Sequence, residues 1–289
     1  MTAGLARIAD DVGGTTRHAL VAEPPAAGPS PVVVMFHGAG ATAQIAADQT
    51  KFAALGAREG FVAVFPEGTA RDPGAPPQFR LNPQTWNDGS ARGHVARRAT
   101  DDVGFTAALL DRLVEAGRAD PSAISLAGFS NGASFAFRAA AALADRIAAL
   151  AAVAGHCWIE PTLARPVPLL YLMGSADPLN PLAGGDVVTP WGGNASHPPV
   201  DRSTARWARA NGCGGDARVT REGALEWSDY AGCAAPTRRC IIEGLGHVWP
   251  GGPRLLPERL VGRRSDAFAG SEEIWRFFAD PAGSRRGSA

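Results

Sequence analysis

The chain has 289 residues, 45% of them apolar, and balances 28 Lys plus Arg against 28 Asp plus Glu. That composition excludes a disordered or fibrous chain, and zero net charge excludes an overall basic field able to hold nucleic acid or an anionic membrane. The longest apolar run, residues 147–154, is far short of the ~20 residues that span a bilayer. The opening segment, MTAGLARIADDVGG, lacks the basic start and apolar stretch of a signal peptide. It leaves either a cytosolic protein or one whose leader has been trimmed.

From the N-terminus, strands are expected at 18–22 and 32–36, then a helix at 43–59 and a strand at 62–65. A loop of about 34 residues, 66–99, comes next, and loops of that length tend to carry function. A helix is expected at 100–116, a strand at 123–127, a helix at 131–144, and strands at 148–154 and 169–173. Residues 178–200 are rich in Pro and Gly, carry Trp191, and are too short for a lid domain. A helix at 201–211, a short hairpin within 214–232, a strand at 239–242 and a helix at 271–278 complete the order, with a frayed tail from 281. Thr100, Asp201 and Ser271 are the expected N-caps. The runs PVVVMF and PLLYLM are apolar without alternation, as in strands covered on both faces. The reading is an α/β fold with a mostly parallel central sheet flanked by helices.

The sharpest local feature is Gly128-Phe129-Ser130-Asn131-Gly132. It follows the strand AISLA and opens the helix NGASFAFRAAAAL, so Ser130 is expected on a tight turn at the carboxyl edge of the sheet. A serine hydroxyl needs a base, and the base needs an orienting acid; in this arrangement they follow the serine as acid, then His. Asp177, just past the strand PLLYLM, is the expected acid, with Asp186 and Asp201 as alternatives. Asp101 and Asp102 are expected to cap the helix after Thr100. Among the histidines after Ser130, His247 follows the last strand in a Gly-rich loop. His156 precedes the acid, and His197 has no strand before it, so His247 is the expected base. For a developing oxyanion, the backbone N–H groups of Asn131 and of Ala39, in the loop Phe36-His37-Gly38-Ala39-Gly40, are the expected donors. The arginines are scattered and read as a solvated surface.

The motifs VVVMFHGAGATA, TWND, DDVGF, GFSNGA, MGSADPLNP, NGC and GLGHVWPGG together resemble the esterase/polyhydroxybutyrate-depolymerase family of α/β-hydrolases, which includes feruloyl esterases. The resemblance runs roughly from residue 32 to 252. It implies residues 1–289 as one α/β-hydrolase catalytic domain without a large lid. It also implies a metal-free, cofactor-free serine carboxylesterase with Ser130, Asp177 and His247 as its triad, secreted or periplasmic. The family loop often reads His-Gly-Cys where this chain has Ala39. The expected substrates are polyesters, such as polyhydroxyalkanoate or aromatic polyester. Feruloyl or acetyl xylan esters of plant cell walls are the alternative, and a serine peptidase a more distant one. A monomer is expected. Trp86, Trp158 and Trp249 fall near strand ends, where they could flank an acyl or aromatic group or pack under their own loops. A Cys213–Cys233 bridge would close a loop of about 20 residues across the hairpin. Cys157 and Cys240 lie near strands two apart, beyond the ~7 Å limit for bridging, and are expected to be free thiols.

Overall fold

The structure is a computed structural model that describes residues 4–282. The expected tail therefore falls, from 283 onward, outside the described residues. An antiparallel pair opens the chain, β1 (Ala6–Val12) and β2 (Thr15–Ala22), before β3 (Ser30–Phe36). Helices α1 (Ala43–Thr50) and α2 (Phe52–Glu59) lead to β4 (Val62–Pro66). The long loop contains the small strands β5 (Thr69–Ala70) and β6 (Gln84–Thr85) and the short helix α3 (Gly93–Arg97). Then come α4 (Asp102–Glu115), β7 (Ala119–Phe129), α5 (Asn131–Ala142), β8 (Ala149–Val153) and β9 (Leu169–Gly174). A two-stranded hairpin, β10 (Gly185–Val188) and β11 (Asn194–His197), precedes α6 (Val200–Ala210). The chain closes with β12 (Ala217–Glu222), β13 (Leu225–Tyr230), β14 (Thr237–Ile242), α7 (Glu258–Val261) and α8 (Gly270–Ala279).

Ten strands form one sheet in the order β1-β2-β4-β3-β7-β8-β9-β14-β13-β12. The six from β4 to β14 run parallel, and an antiparallel pair closes each edge. Strands β4, β8 and β9 are buried at every position. They therefore read as unbroken apolar runs. Helices α4 and α5 touch each other and pack on β7, while α2 and α8 touch each other and reach β4 and β8. Parallel order puts the carboxyl ends of β3, β7, β8, β9 and β14 along one edge of the sheet.

Several local expectations are corrected. Strand β1 escaped the sequence reading because its burial alternates only between exposed and half-buried, as suits a charged edge strand. The expected helix at 43–59 is two helices broken at Lys51, whose φ of 58° is left-handed. Thr50 Oγ1 donates to Ala46 O and receives Phe52 N–H there, satisfying groups at the break. Thr100 is not the cap of α4; Asp101 is, accepting from Gly104 N at 2.8 Å. Asp102 does not cap. It pairs with Arg17 at 2.8 Å and receives Asn87 N at 2.7 Å, fastening the long loop to the sheet edge. Asp201 lies inside the first turn of α6 and pairs with Arg239. Ser271 bridges Trp249 Nε1 and Thr50 O instead of capping α8.

Cys213 and Cys233 form a disulfide that ties the end of α6 to the β13–β14 turn. Cys157 and Cys240 are buried and not disulfide-bonded; Cys157 lies in the loop after β8 and Cys240 within β14, with β9 between those two strands. Burial pushes the Cys157 thiol up to about 12, which keeps it protonated.

Candidate active site

Ser130 joins β7 to α5 with φ 56° and ψ −122°, a conformation non-glycine residues rarely adopt. The surroundings enforce it. A Cβ on Gly128 would lie 2.3 Å from Gly132 O, and one on Gly132 would lie 2.2 Å from Phe36 O. Only glycine lets the turn close this tightly against β3. The hydroxyl is thereby lifted off the sheet edge at the N-terminus of α5, where backbone N–H groups have no helical partner.

Asp177 follows β9 and His247 follows β14, so two non-adjacent loops converge on Ser130. His247 Nε2 lies 2.9 Å from Ser130 Oγ, and His247 Nδ1 lies 2.8 Å from Asp177 Oδ2. With the carboxylate as acceptor, Nδ1–H donates and Nε2 is left to accept the serine proton. Asp177 Oδ1 receives the N–H groups of Leu179 and Asn180, both at 2.8 Å. Burial by itself would raise the Asp177 carboxyl. The His247 ring and these two donors outweigh that and hold it below the usual carboxylate range. His247 is held by its own backbone, which donates to Val261 O at 2.5 Å. A Cβ on Gly246 would strike that same carbonyl at 2.1 Å. Of the alternative acids, Asp186 sits on the β10 strand and Asp201 on α6, paired with Arg239.

Sequence reasoning missed Asn180. Its side chain donates to Ala154 O at 2.8 Å and lies 3.5 Å from His247 Nδ1, bracing the acid–histidine pair against β8. It also missed His37, which is fully buried. His37 Nδ1 donates to Gly38 O at 2.8 Å, and Nε2 accepts Gly68 N–H at 2.9 Å. Burial lowers its pKa, which suits a neutral ring in that dual role. Both lie inside recognisable motifs, His37 in VVVMFHGAGATA and Asn180 in MGSADPLNP, but sequence assigned them no role because Gly68 and Ala154, the partners that matter, are distant in the chain.

The loop carrying Ala39 passes against the serine: a Cβ on Gly38 would lie 3.3 Å from Ser130 Cβ. Ala39 and Asn131 both line the cavity in front of Ser130. The long loop is laced to this region by Gly40 N to Gln84 O at 2.7 Å and Trp86 Nε1 to His37 O at 2.9 Å.

That cavity has a volume of about 670 Å³, within the usual size for a small-molecule site. Ile45, Phe79, Val187, Trp191 and Leu256 give it largely apolar walls. The three predicted tryptophans separate. Trp158 lines the cavity, half-buried, with the Arg92 guanidinium 4.1 Å above its ring. Trp86 borders the cavity but is 1% exposed and stacks on Phe135 at 5.1 Å, so it serves as a packing anchor for the long loop. Trp249 does not line the cavity; it is buried against Phe52 and Phe129. Trp191, not predicted as a site residue, lies at the cavity wall with Phe79 at 5.2 Å and donates to Phe79 O at 2.6 Å. Among the described residues no three His, Cys, Asp or Glu side chains gather as metal ligands.

A mostly parallel sheet between helical layers, with a serine on a strand-to-helix turn, defines an α/β-hydrolase. Residues 17–191 match the family model described as phospholipase/carboxylesterase, and the chain belongs to that family. It is 29% identical over 277 residues to "Putative esterase NocK" of Nocardia uniformis subsp. tsuyamanensis, covering 87% of this chain and 76% of that one. Over 149 residues it is 26% identical to "Bifunctional acetylxylan esterase/xylanase XynS20E" of Neocallimastix patriciarum, covering 51% of this chain and 19% of the relative. In structure it resembles an acetyl xylan esterase from Aspergillus awamori with a TM-score of 0.62 at 14% identity, covering 85% of this chain and 94% of the other. That last likeness is one of fold. The protein is a hydrolase of the carboxylesterase type.

Proposed function

We propose that the protein is a serine carboxylesterase working through an acyl-enzyme, with Ser130 as nucleophile, His247 as base and then acid, and Asp177 as the group that orients His247. One observation carries the reading. A serine held at φ 56° beside a cavity is hydrogen-bonded through a histidine to a buried carboxylate. Ser130 Oγ attacks the ester carbonyl carbon while its proton passes to His247 Nε2. The carbonyl electron pair moves onto oxygen, where the N–H groups of Ala39 and Asn131 stabilise it. Collapse of the intermediate expels the alkoxide, which takes the proton from His247. Water then repeats the sequence, releasing the acid and restoring Ser130. Asp177 stays ionised throughout and stabilises the imidazolium. No cofactor or metal enters any step.

The substrate reading is a polyester or its oligomers, polyhydroxyalkanoate or aromatic polyester, supported by an apolar cavity flanked by Trp158, Trp191 and Phe79. A second reading, acetyl or feruloyl esters of xylan, is favoured by the likeness to the relative named as an acetylxylan esterase/xylanase. The chain is read as one catalytic domain, a monomer. The Cys213–Cys233 bridge supports an oxidising compartment, hence a secreted or periplasmic protein. The deciding experiment is hydrolysis of p-nitrophenyl butyrate by wild type and Ser130→Ala, with mass spectrometry after an organophosphonate probe. The expected result is loss of turnover by ~10⁶-fold and a label on Ser130 alone. Retained activity in the variant rejects the mechanism. Product analysis on polyhydroxybutyrate, an aromatic polyester and acetylated xylan separates the substrate readings.

A further inference from the structure

One end of the cavity carries polar groups that the ester-cleaving machinery leaves unused. His156 follows β8, is 1% exposed and lines the cavity, yet neither ring nitrogen meets a partner at hydrogen-bond geometry. The Asn180 amide beside it donates one N–H to Ala154 O at 2.8 Å and is a polar neighbour of the His156 ring, but meets neither ring nitrogen with hydrogen-bond geometry. His197, on β11, faces it with ring centroids 5.1 Å apart, and its buried Nδ1 is likewise unmatched. Trp158 completes a triangle, 5.4 Å from His156 and 5.7 Å from His197. Arg92 lies over one face of that tryptophan, near enough for its charge to act on both His197 and His156. No carboxylate among the described residues is within ion-pair distance of its guanidinium. Its nearest acidic influence, Asp88, accepts instead from Ser90 and from Asn131 Nδ2 at 2.9 Å. Buried polar groups are normally matched, so a set of unmatched ones around a cavity points to a ligand.

We propose that Arg92, His156 and His197 form a carboxylate-binding subsite, and that the preferred substrates are esters whose alcohol part bears a free carboxylate, such as the acid end of a hydroxyacid oligomer. This rests on the serine-esterase reading of the same cavity. The cluster lies on the His247 side of the serine: Asn180 spans from His247 to Ala154, two residues before His156. His247 hands its proton to the leaving alcohol, so that side takes the alcohol part. Arg92 supplies a fixed positive charge, which a neutral hydroxyl would not need. Burial holds His156 and His197 neutral, at about 3 and about 4, so they meet the ligand as uncharged N–H donors. The apolar remainder of the cavity takes the hydrocarbon portion.

The test compares the linear dimer of 3-hydroxybutyrate as free acid with its methyl ester, following cleavage of the internal ester by chromatography. Wild type is expected to favour the acid at least tenfold in kcat/KM, chiefly through KM. Arg92→Gln and His197→Gln, checked for native circular dichroism, should collapse that ratio towards one. Equal rates on acid and methyl ester in wild type, failure to cleave the acid, or an equal loss on both substrates in the variants would overturn the subsite. Ser130 labelling and p-nitrophenyl butyrate turnover test the underlying mechanism separately. Wild type that labels and turns over normally but ignores the carboxylate rejects the subsite alone.

Discussion

Asn131 grips the backbone of Trp86 at both ends of its carboxamide: Oδ1 accepts from Trp86 N at 2.8 Å, and Nδ2 donates to Trp86 O at 3.2 Å. The residue directly after the serine thus anchors a loop 45 positions earlier in the chain. The same Nδ2 reaches Asp88. Asn131 therefore has two separable parts, a backbone N–H proposed as an oxyanion donor and a side chain that fixes one cavity wall.

Asn131→Ala keeps the backbone donor and removes the grip. It is expected to lower stability by about 1–3 kcal/mol, the cost of leaving buried partners unmatched. It should also raise KM more than it lowers kcat. Urea unfolding and Michaelis kinetics on p-nitrophenyl butyrate measure both. A variant with native stability and unchanged KM would show that the loop is held by its other contacts.

Under the proposed mechanism, Asp177→Asn preserves shape but removes the charge that orients His247. The expected loss in kcat is roughly 10⁴-fold, as for amide replacement of an orienting carboxylate elsewhere. Asn180→Ala removes only the brace beside it and should cost far less. A smaller loss for Asp177→Asn than for Asn180→Ala would mean that another acid orients the histidine.

The buried histidines give stability a pH dependence of definite sign. His156 and His197 have folded values near 3 and 4, below the ordinary ~6.5 of the unfolded chain. Between those limits the unfolded state binds more protons, so stability is full above about pH 6.5 and falls as pH drops. His156 alone should cost about 2 kcal/mol at pH 5. Asp177 is depressed instead: its contribution holds above the usual carboxylate range and is lost as pH falls through its lower folded value. Unfolding midpoints at pH 7.5 and pH 5 should differ, and His156→Gln should narrow the gap. An unchanged gap would place the proton uptake elsewhere.

Reducing the Cys213–Cys233 bridge, which spans a sequence separation of 20, should cost ~3 kcal/mol in the chain-entropy model. Thiol titration under denaturing, non-reducing conditions should find two free thiols, and four after reduction. Four without reductant would remove the bridge and the argument for an oxidising compartment.

Local sequence determined the elements that hard sterics dictate. Gly128 and Gly132 are required because any Cβ would strike backbone, and that requirement marked the Ser130 turn without any structure. The unbroken apolar runs of β3 and β9 announced a parallel sheet because both of their faces are covered. Once the sheet order is parallel, loops after β9 and β14 open on the same edge as Ser130, which is why the sequence could propose Asp177 and His247 as its partners. Tertiary structure decided what depends on contacts between distant segments. Trp86, Trp158 and Trp249 are alike in sequence context, yet one anchors a loop, one lines the cavity and one is buried beneath it. Asp102 looked like a cap until Arg17, 85 positions away, proved to be its partner. Arg92 and His197 gave no local signal, since only the folding of the long loop and the β10–β11 hairpin over the sheet edge brings them to His156. Local spacing records clashes and periodicity; it does not record which loop closes over which, and that closure shapes the cavity in front of Ser130.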